Sequence, residues 1–189
     1  MSVRAFVGIW LPEPFREELL RWRAQVAPLL SQARWVRAEQ LHVTLRFLGD
    51  VPLDLVKPLE QGLAKIAASR TAPLLSLTRP GVFPSFERPR VLWVGLDSGG
   101  QLEELAAEVA ALAQDLDFAP DDRPWVPHVT LARARSPWPA EAVERVFQTS
   151  GWRSEAPCSP TSLDLIGSEL LPDGPRYRVL SASPWRRLA

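Results

Sequence analysis

The chain has 189 residues, 46% of them hydrophobic and 23% charged, and its 22 basic residues are balanced by 22 acidic ones. That balance is globular and excludes a disordered chain; no apolar run reaches the roughly 20 residues of a membrane span, and zero net charge supplies no global field to draw in nucleic acid. The lone Cys158 can close no internal disulfide, no cysteine cluster suggests a metal, and the opening stretch meets Pro12 and acidic residues without a signal-cleavage pattern, so a cytoplasmic protein is expected, and a monomer.

In chain order, "VRAFVGIW" (3–10) reads as a strand. Residues 13–30 carry Phe15, Leu19, Trp22, Val26 and Leu29 at helical spacing. "ARWV" (33–36) is a short strand, and "LHVTLRFLG" (41–49) a stronger one expected to end at Gly49-Asp50. Residues 53–68 give a helix with Leu55, Leu59, Leu63 and Ile66 on one face, although Pro58 opposes it. "PLLSLTRPGVF" (73–83) and "RVLWVGLD" (90–97) read as strands around a proline-rich loop. Residues 100–116 form an amphipathic helix with Leu102, Leu105, Val109, Leu112 and Leu116 inward. "VPHVTLAR" (126–133) is another strand, 139–149 a short helix opened by Pro139, and "TSLDLIGSEL" and "RYRVLSAS" close the chain as a hairpin about "LPDGP".

Strands and helices intermix in both halves. The expected architecture is therefore α+β: one domain over 1–189, made of two pseudo-symmetric lobes with helices outside and strands facing a central cleft. Beyond one tetrapeptide the halves share little sequence, so the duplication rests mainly on that repeat.

The tetrapeptide is His42-Val43-Thr44-Leu45, which returns nearly half the chain later as His128-Val129-Thr130-Leu131. These two histidines are the only ones present. Side chains alternate along a strand, so His42, Thr44 and Arg46 share one face, as do His128 and Thr130. If the strands are neighbours, two imidazoles and two hydroxyls converge. Imidazole titrates near neutrality, so one can act as general base and the other as general acid. Threonine hydroxyls can donate to non-bridging phosphate oxygens, and arginine can balance phosphoryl charge. A phosphodiester suits this set, with no metal and no cofactor required.

Competing readings are plainer. A histidine on a strand is more often structural, and two histidines without a third ligand make a poor zinc site. "DSGGQ" (97–101) precedes a helix but lacks the lysine and spacing of a phosphate loop, so it reads as a turn and helix start. Of the 22 basic residues 20 are arginine; genomic codon bias explains most of that, yet a few could line a phosphate pocket. The eight tryptophans read most simply as core and packing residues, with Trp10, Trp35 and Trp125 as candidates to stack on a base.

Two H-x-T-hydrophobic motifs are the signature of the 2H phosphoesterase superfamily. With "LHVTLRFLGD", "VFPSFERPRVLWVGL", "WVPHVTLAR" and "GPRYRVL" in order, nearly the whole chain resembles the RNA 2′,3′-cyclic phosphodiesterases, also called 2′-5′ RNA ligases. The resemblance implies a bilobal α+β fold and metal- and ATP-independent hydrolysis of RNA or nucleoside 2′,3′-cyclic phosphates to 2′-phosphate ends. It assigns His42 and His128 to the catalytic pair, Thr44 and Thr130 to phosphate binding, Arg133 to a phosphate contact and Phe47 to the nucleoside. Strict alternation disagrees: it turns Arg133 away and favours Arg46, unless the strand ends or bulges near Ala132 and lets Arg133 swing back; Arg133 is kept as the expected contact and Arg46 as the second. His128 is expected to act as base on water and His42 as acid toward the 3′ oxygen. Ligation through a 2′-5′ linkage, hydrolysis of another small cyclic phosphate or 2′-5′ linkage, and nucleotide or RNA-end binding without turnover remain the alternatives. The expected partners are RNA ends or nucleotides bearing the cyclic phosphate, with no membrane partner.

Overall fold

A computed structural model describes residues 1–121, 124–149, 157–172 and 174–187. The strands are β1 (Ser2–Trp10), β2 (Arg34–Trp35), β3 (His42–Pro52), β4 (Ser76–Phe83), β5 (Val91–Asp97), β6 (His128–Arg133), β7 (Ser162–Leu171) and β8 (Gly174–Pro184). The helices are α1 (Glu13–Val26), α2 (Leu53–Ser69), α3 (Gln101–Asp115) and α4 (Ala140–Gln148). All strand pairs are antiparallel, in the order β4-β5-β6-β3-β1-β7-β8, with β2 added along β6. The α+β expectation therefore holds.

The two motif strands lie at the centre of this order and pair only at Val43 and Val129. With β8 set aside, the order reads as a palindrome about that junction, β1 answering β5 and β7 answering β4. The terminal strands of the two wings are exchanged: β4 follows the first motif yet pairs with β5, and β7 follows the second yet pairs with β1.

The opposite face of the sheet is covered by helices. Phe15, Leu19, Trp22 and Val26 of α1, Leu59 and Leu63 of α2, and Leu102, Leu105 and Val109 of α3 join one continuous core with Val43, Leu45, Val129 and Leu131. Leu29, Leu55, Ile66, Leu112 and Leu116 sit at its margin. α2 and α3 approach closely at Gly62, where a Cβ would meet Leu112 at 2.4 Å. Pro58 lies inside α2 and does not stop it: the missing N–H removes one rung, and the buried face supplies the rest. "DSGGQ" is a helix start, since Ser98 Oγ accepts the Leu102 N–H at 2.8 Å and Asp97 Oδ1 the Gly99 N–H at 3.0 Å.

Several boundaries differ: α1 ends at Val26 rather than at 30, with a single 3-10 turn after it, and β4 and β6 begin at Ser76 and His128 rather than at 73 and 126. β3 does not end at Gly49-Asp50 but runs on to Pro52, pairing Val51 with Val3. Gly49 adopts φ +70°, which a side chain disfavours, and the ladder absorbs Leu48 as an extra residue there and continues.

Candidate active site

Each HVTL strand departs from strict alternation at its leucine. On β3, Thr44 pairs with Gly8 but Arg46 pairs with Val7, leaving Leu45 as one extra residue. On β6, Thr130 pairs with Trp93 and Ala132 with Leu92, leaving Leu131 extra. Two bulges at the same motif position have one effect. The leucine and the residue after it both turn into the core, as buried Leu45 and Arg46 in one copy and buried Leu131 and Ala132 in the other. The sixth residue of each motif, Phe47 or Arg133, returns to the cleft face beside the histidine and threonine.

The cleft over these strands is about 760 Å³ and is lined by His42, Thr44, Phe47, His128, Thr130 and Arg133, a volume in the range of small-ligand sites. The Val43–Val129 pair brings the motifs together antiparallel, so each histidine stands across from the other copy's threonine. Arg46 does not belong here, contrary to what alternation favours. Its side chain is 4% exposed, donates to the Ala119 carbonyl and pairs with Asp121, because the bulge at Leu45 sends it to the other side.

Both imidazoles are fixed in the same way. Nδ1 of His42 lies 2.6 Å from the Gln40 carbonyl, and Nδ1 of His128 lies 2.7 Å from the Val126 carbonyl. A carbonyl oxygen only accepts, so each Nδ1 carries the proton and each Nε2 is left for chemistry. Aromatic rings wall both. His42 has Phe6 at 4.8 Å, Tyr177 at 5.2 Å and Trp10 at 5.7 Å between centroids; His128 has Phe83 at 5.1 Å and Trp93 at 5.8 Å.

These walls set the protonation states. Burial lowers His42 from its ordinary 6.5 to about 4, against the raising effect of the Gln40 carbonyl, and the charges of Arg133 and His128 act in the same downward sense. Burial also lowers His128, opposed by the Val126 carbonyl and aided by Arg133. Both rings are therefore neutral at pH 7 in the unliganded protein, with the Nε2 lone pairs available. Burial raises the Tyr177 hydroxyl, against the charge of Arg133.

Sequence reading missed several lining residues. Tyr177, the only tyrosine of the chain, stands edge-on to His42; its singularity was a signal of the kind that exposed the histidines. Arg34, Arg37 and Arg135 also line the cleft, as does Gln40, whose amide reaches the Pro175 carbonyl at 2.7 Å. Of the three tryptophans considered for stacking, Trp35 lines the cleft. Trp10 stands edge-on behind His42, and Trp125 donates its Nε1–H to the Thr44 carbonyl at 2.9 Å.

The family of LigT-like phosphoesterases matches this chain twice, over residues 9–93 and 94–177, one segment for each motif. A relative from Thermus thermophilus, named RNA 2′,3′-cyclic phosphodiesterase, is 34% identical over 186 residues, covering 94% of this chain and 88% of its own. A relative of the same name from Aquifex aeolicus is 31% identical over 94% of this chain and 95% of its own. One from Geobacillus stearothermophilus is 31% identical over 95% of this chain, which spans 56% of that longer protein. Among solved structures, a Thermus thermophilus protein superposes with a TM-score of 0.77 at 29% identity, over 97% of this chain and 98% of that one. E. coli LigT complexed with 3′-AMP does so with 0.72 at 26% identity, over 99% and 100%. With both repeats matched and both motif strands meeting at one cleft, the chain belongs to the LigT-like phosphoesterase family.

Proposed function

We propose that the protein hydrolyses RNA or nucleoside 2′,3′-cyclic phosphates to 2′-phosphates, using His42 and His128 as paired acid and base. The observation that supports this most directly is the matched anchoring of the two rings, each with Nδ1 bound to a backbone carbonyl and Nε2 left free. The names of the relatives agree with it.

In this reading the cyclic phosphate lies between the motifs. Thr44 and Thr130 donate their hydroxyls to its non-bridging oxygens, and Arg133 balances the charge that builds there. His128 Nε2 takes a proton from water as the water oxygen bonds to phosphorus. The P–O3′ bond breaks, and His42 Nε2 gives its proton to the departing 3′ oxygen. The product keeps the phosphate on O2′, and the proton gained by His128 returns to His42 through solvent. Phe47 lies against the nucleoside. No step calls for a metal or a cofactor.

His42 must be cationic to act as the acid, yet burial holds it near 4 in the free site. The anionic phosphate reverses that balance, because an opposite charge within a few ångströms favours the imidazolium. The opposite assignment has one observation in its favour, since a histidine lowered to about 4 is well prepared as a base. A substrate with a good leaving group separates the two. With an aryl phosphodiester, loss of the acid is tolerated and loss of the base is not. Recovery of His42→Ala on the aryl ester while His128→Ala stays inactive supports His42 as acid and His128 as base; the converse reverses the roles.

The basic test is incubation with a 2′,3′-cyclic nucleotide in EDTA, with 2′- and 3′-phosphate products resolved. A 2′-phosphate that disappears in both alanine variants supports the two-histidine mechanism. Tight nucleotide binding without product supports a binding module instead. Joining of RNA halves faster than hydrolysis would favour the ligase direction.

A further inference from the structure

Resting on that reading, we propose that Arg34 and Arg37 form a second phosphate subsite. It takes the internucleotide phosphate on the 5′ side of the terminal nucleotide, so that the protein selects an RNA end over a free cyclic nucleotide.

Charge is distributed unevenly over the molecule. The chain as a whole is neutral, with 22 basic and 22 acidic residues. The cleft lining nevertheless includes Arg34, Arg37, Arg133 and Arg135 and, among the described residues, no aspartate or glutamate. A local excess of that kind attracts a polyanion, and one scissile phosphate carries only one negative charge.

The register of β2 concentrates this excess. The strand is two residues long, and it places Arg34 directly opposite Arg133 on β6. Like charges directly opposite on neighbouring strands destabilise a sheet. Neither guanidinium has an ion pair with another described residue. Two forked donors side by side with no acid between them suit two adjacent phosphates, each held by paired N–H bonds. Arg133 serves the first, and Arg34 is left for the second.

The cationic lining also extends beyond the catalytic centre. Among the described residues Arg37 has one acidic partner, the exposed Glu39 at 3.8 Å, and such pairs contribute little. It lines the cleft and also a shallower polar hollow of about 360 Å³ shared with Gln40, Tyr177 and Arg176. The arginines thus extend past the catalytic centre, with Glu39 the one acid among the described residues of that hollow. Trp35, beside Arg34 on β2 and backed by the Arg23 guanidinium at 5.3 Å, offers a ring to the intervening base.

The test compares kcat/KM for 2′,3′-cyclic AMP with that for a short oligoribonucleotide ending in adenosine 2′,3′-cyclic phosphate. It uses the wild type, Arg34→Gln, Arg37→Gln and the double variant, each checked for an unchanged melting temperature. The wild type should prefer the oligonucleotide, and the double variant should lose about tenfold on it, as expected for two charge-assisted contacts. The mononucleotide should change by less than about twofold in all three variants. The log–log salt dependence of oligonucleotide kcat/KM should become shallower by about 0.7 for each phosphate contact removed. Equal losses on both substrates would place these arginines at the scissile phosphate and overturn the subsite. Wild-type activity on the mononucleotide with no oligonucleotide preference would overturn the subsite alone. A wild type inert on both substrates would remove the catalytic reading and the subsite with it.

Discussion

The indole of Trp125 donates to the carbonyl of Thr44 at 2.9 Å, tying the loop before the second motif to the middle of the first. That loop continues through Val126, whose carbonyl orients His128. Trp125→Phe keeps most of the ring and removes the donor. We expect a loss of about 1 kcal/mol in unfolding free energy, the usual worth of one such bond. A several-fold drop in kcat with little change in KM should accompany it, seen by denaturant titration and steady-state kinetics.

Arg46 anchors the same loop from beneath, through Ala119 and Asp121. Arg46→Met should let the loop shift and misplace the His128 ring without touching substrate. A displacement of this kind costs up to about 10² in rate, so kcat should fall and KM hold. Arg46→Lys, which retains the charge, should recover part of the loss. An unchanged kcat in Arg46→Met would show that the loop keeps its place unaided.

Acid should weaken the fold through the imidazoles. Both are held below their unfolded values, so the unfolded chain takes up protons first as pH falls. The stability this contributes is complete above about pH 6.5 and is lost as pH drops toward about 4, the value of His42. The fall in melting temperature between about pH 7 and about pH 4.5 should be smaller in His42→Gln than in the wild type.

Ligand binding should show the opposite coupling. If the phosphate draws a proton onto His42, inorganic phosphate or 2′-AMP binds with proton uptake, and affinity declines as pH rises from about 5 to 8. Calorimetry in buffers of different ionisation enthalpy measures that proton directly. His42→Ala should abolish the component assigned to this ring, and a pH-independent affinity in the wild type would argue against the assigned acid.

Gly8 lies under the first motif, paired with Thr44, and a Cβ there would meet the Val43 carbonyl oxygen at 2.6 Å. That atom is backbone and cannot swing aside. Gly8→Ala should cost about 1–3 kcal/mol, as overpacking does, and should depress activity by moving β3. Denaturant midpoints and turnover measured on the same preparation check both.

Much of this was legible in the sequence, because hydrophobic period and the repeated HVTL carry local information. The helices and strands exist where their spacing puts them, with ends that shift by a few residues, and the two histidines pointed to the cleft. Arg46 was not legible. Its orientation depends on an extra residue at Leu45, which is fixed by how β3 registers against β1 rather than by the order of residues along β3. Phe47 and Arg133 face the cleft for the same reason, a bulge allowed for near Ala132 but not at Leu45, where alternation turns Phe47 toward the core. Gln40 and Pro175 meet at the cleft through a bond between segments 135 residues apart, and no local pattern announces such a meeting.

The exchange of outer strands makes the two motif segments depend on each other in folding. Since β4 completes the wing of β5 and β7 completes the wing of β1, a chain cut in the loop between β4 and β5 would leave each piece with an open sheet edge and the other piece's missing strand. The fragments should be insoluble apart and should reassemble when mixed, like clasped hands that hold only as a pair. In the intact chain the same clasp should couple the two wings in unfolding, so that the two histidines are brought together or lost together.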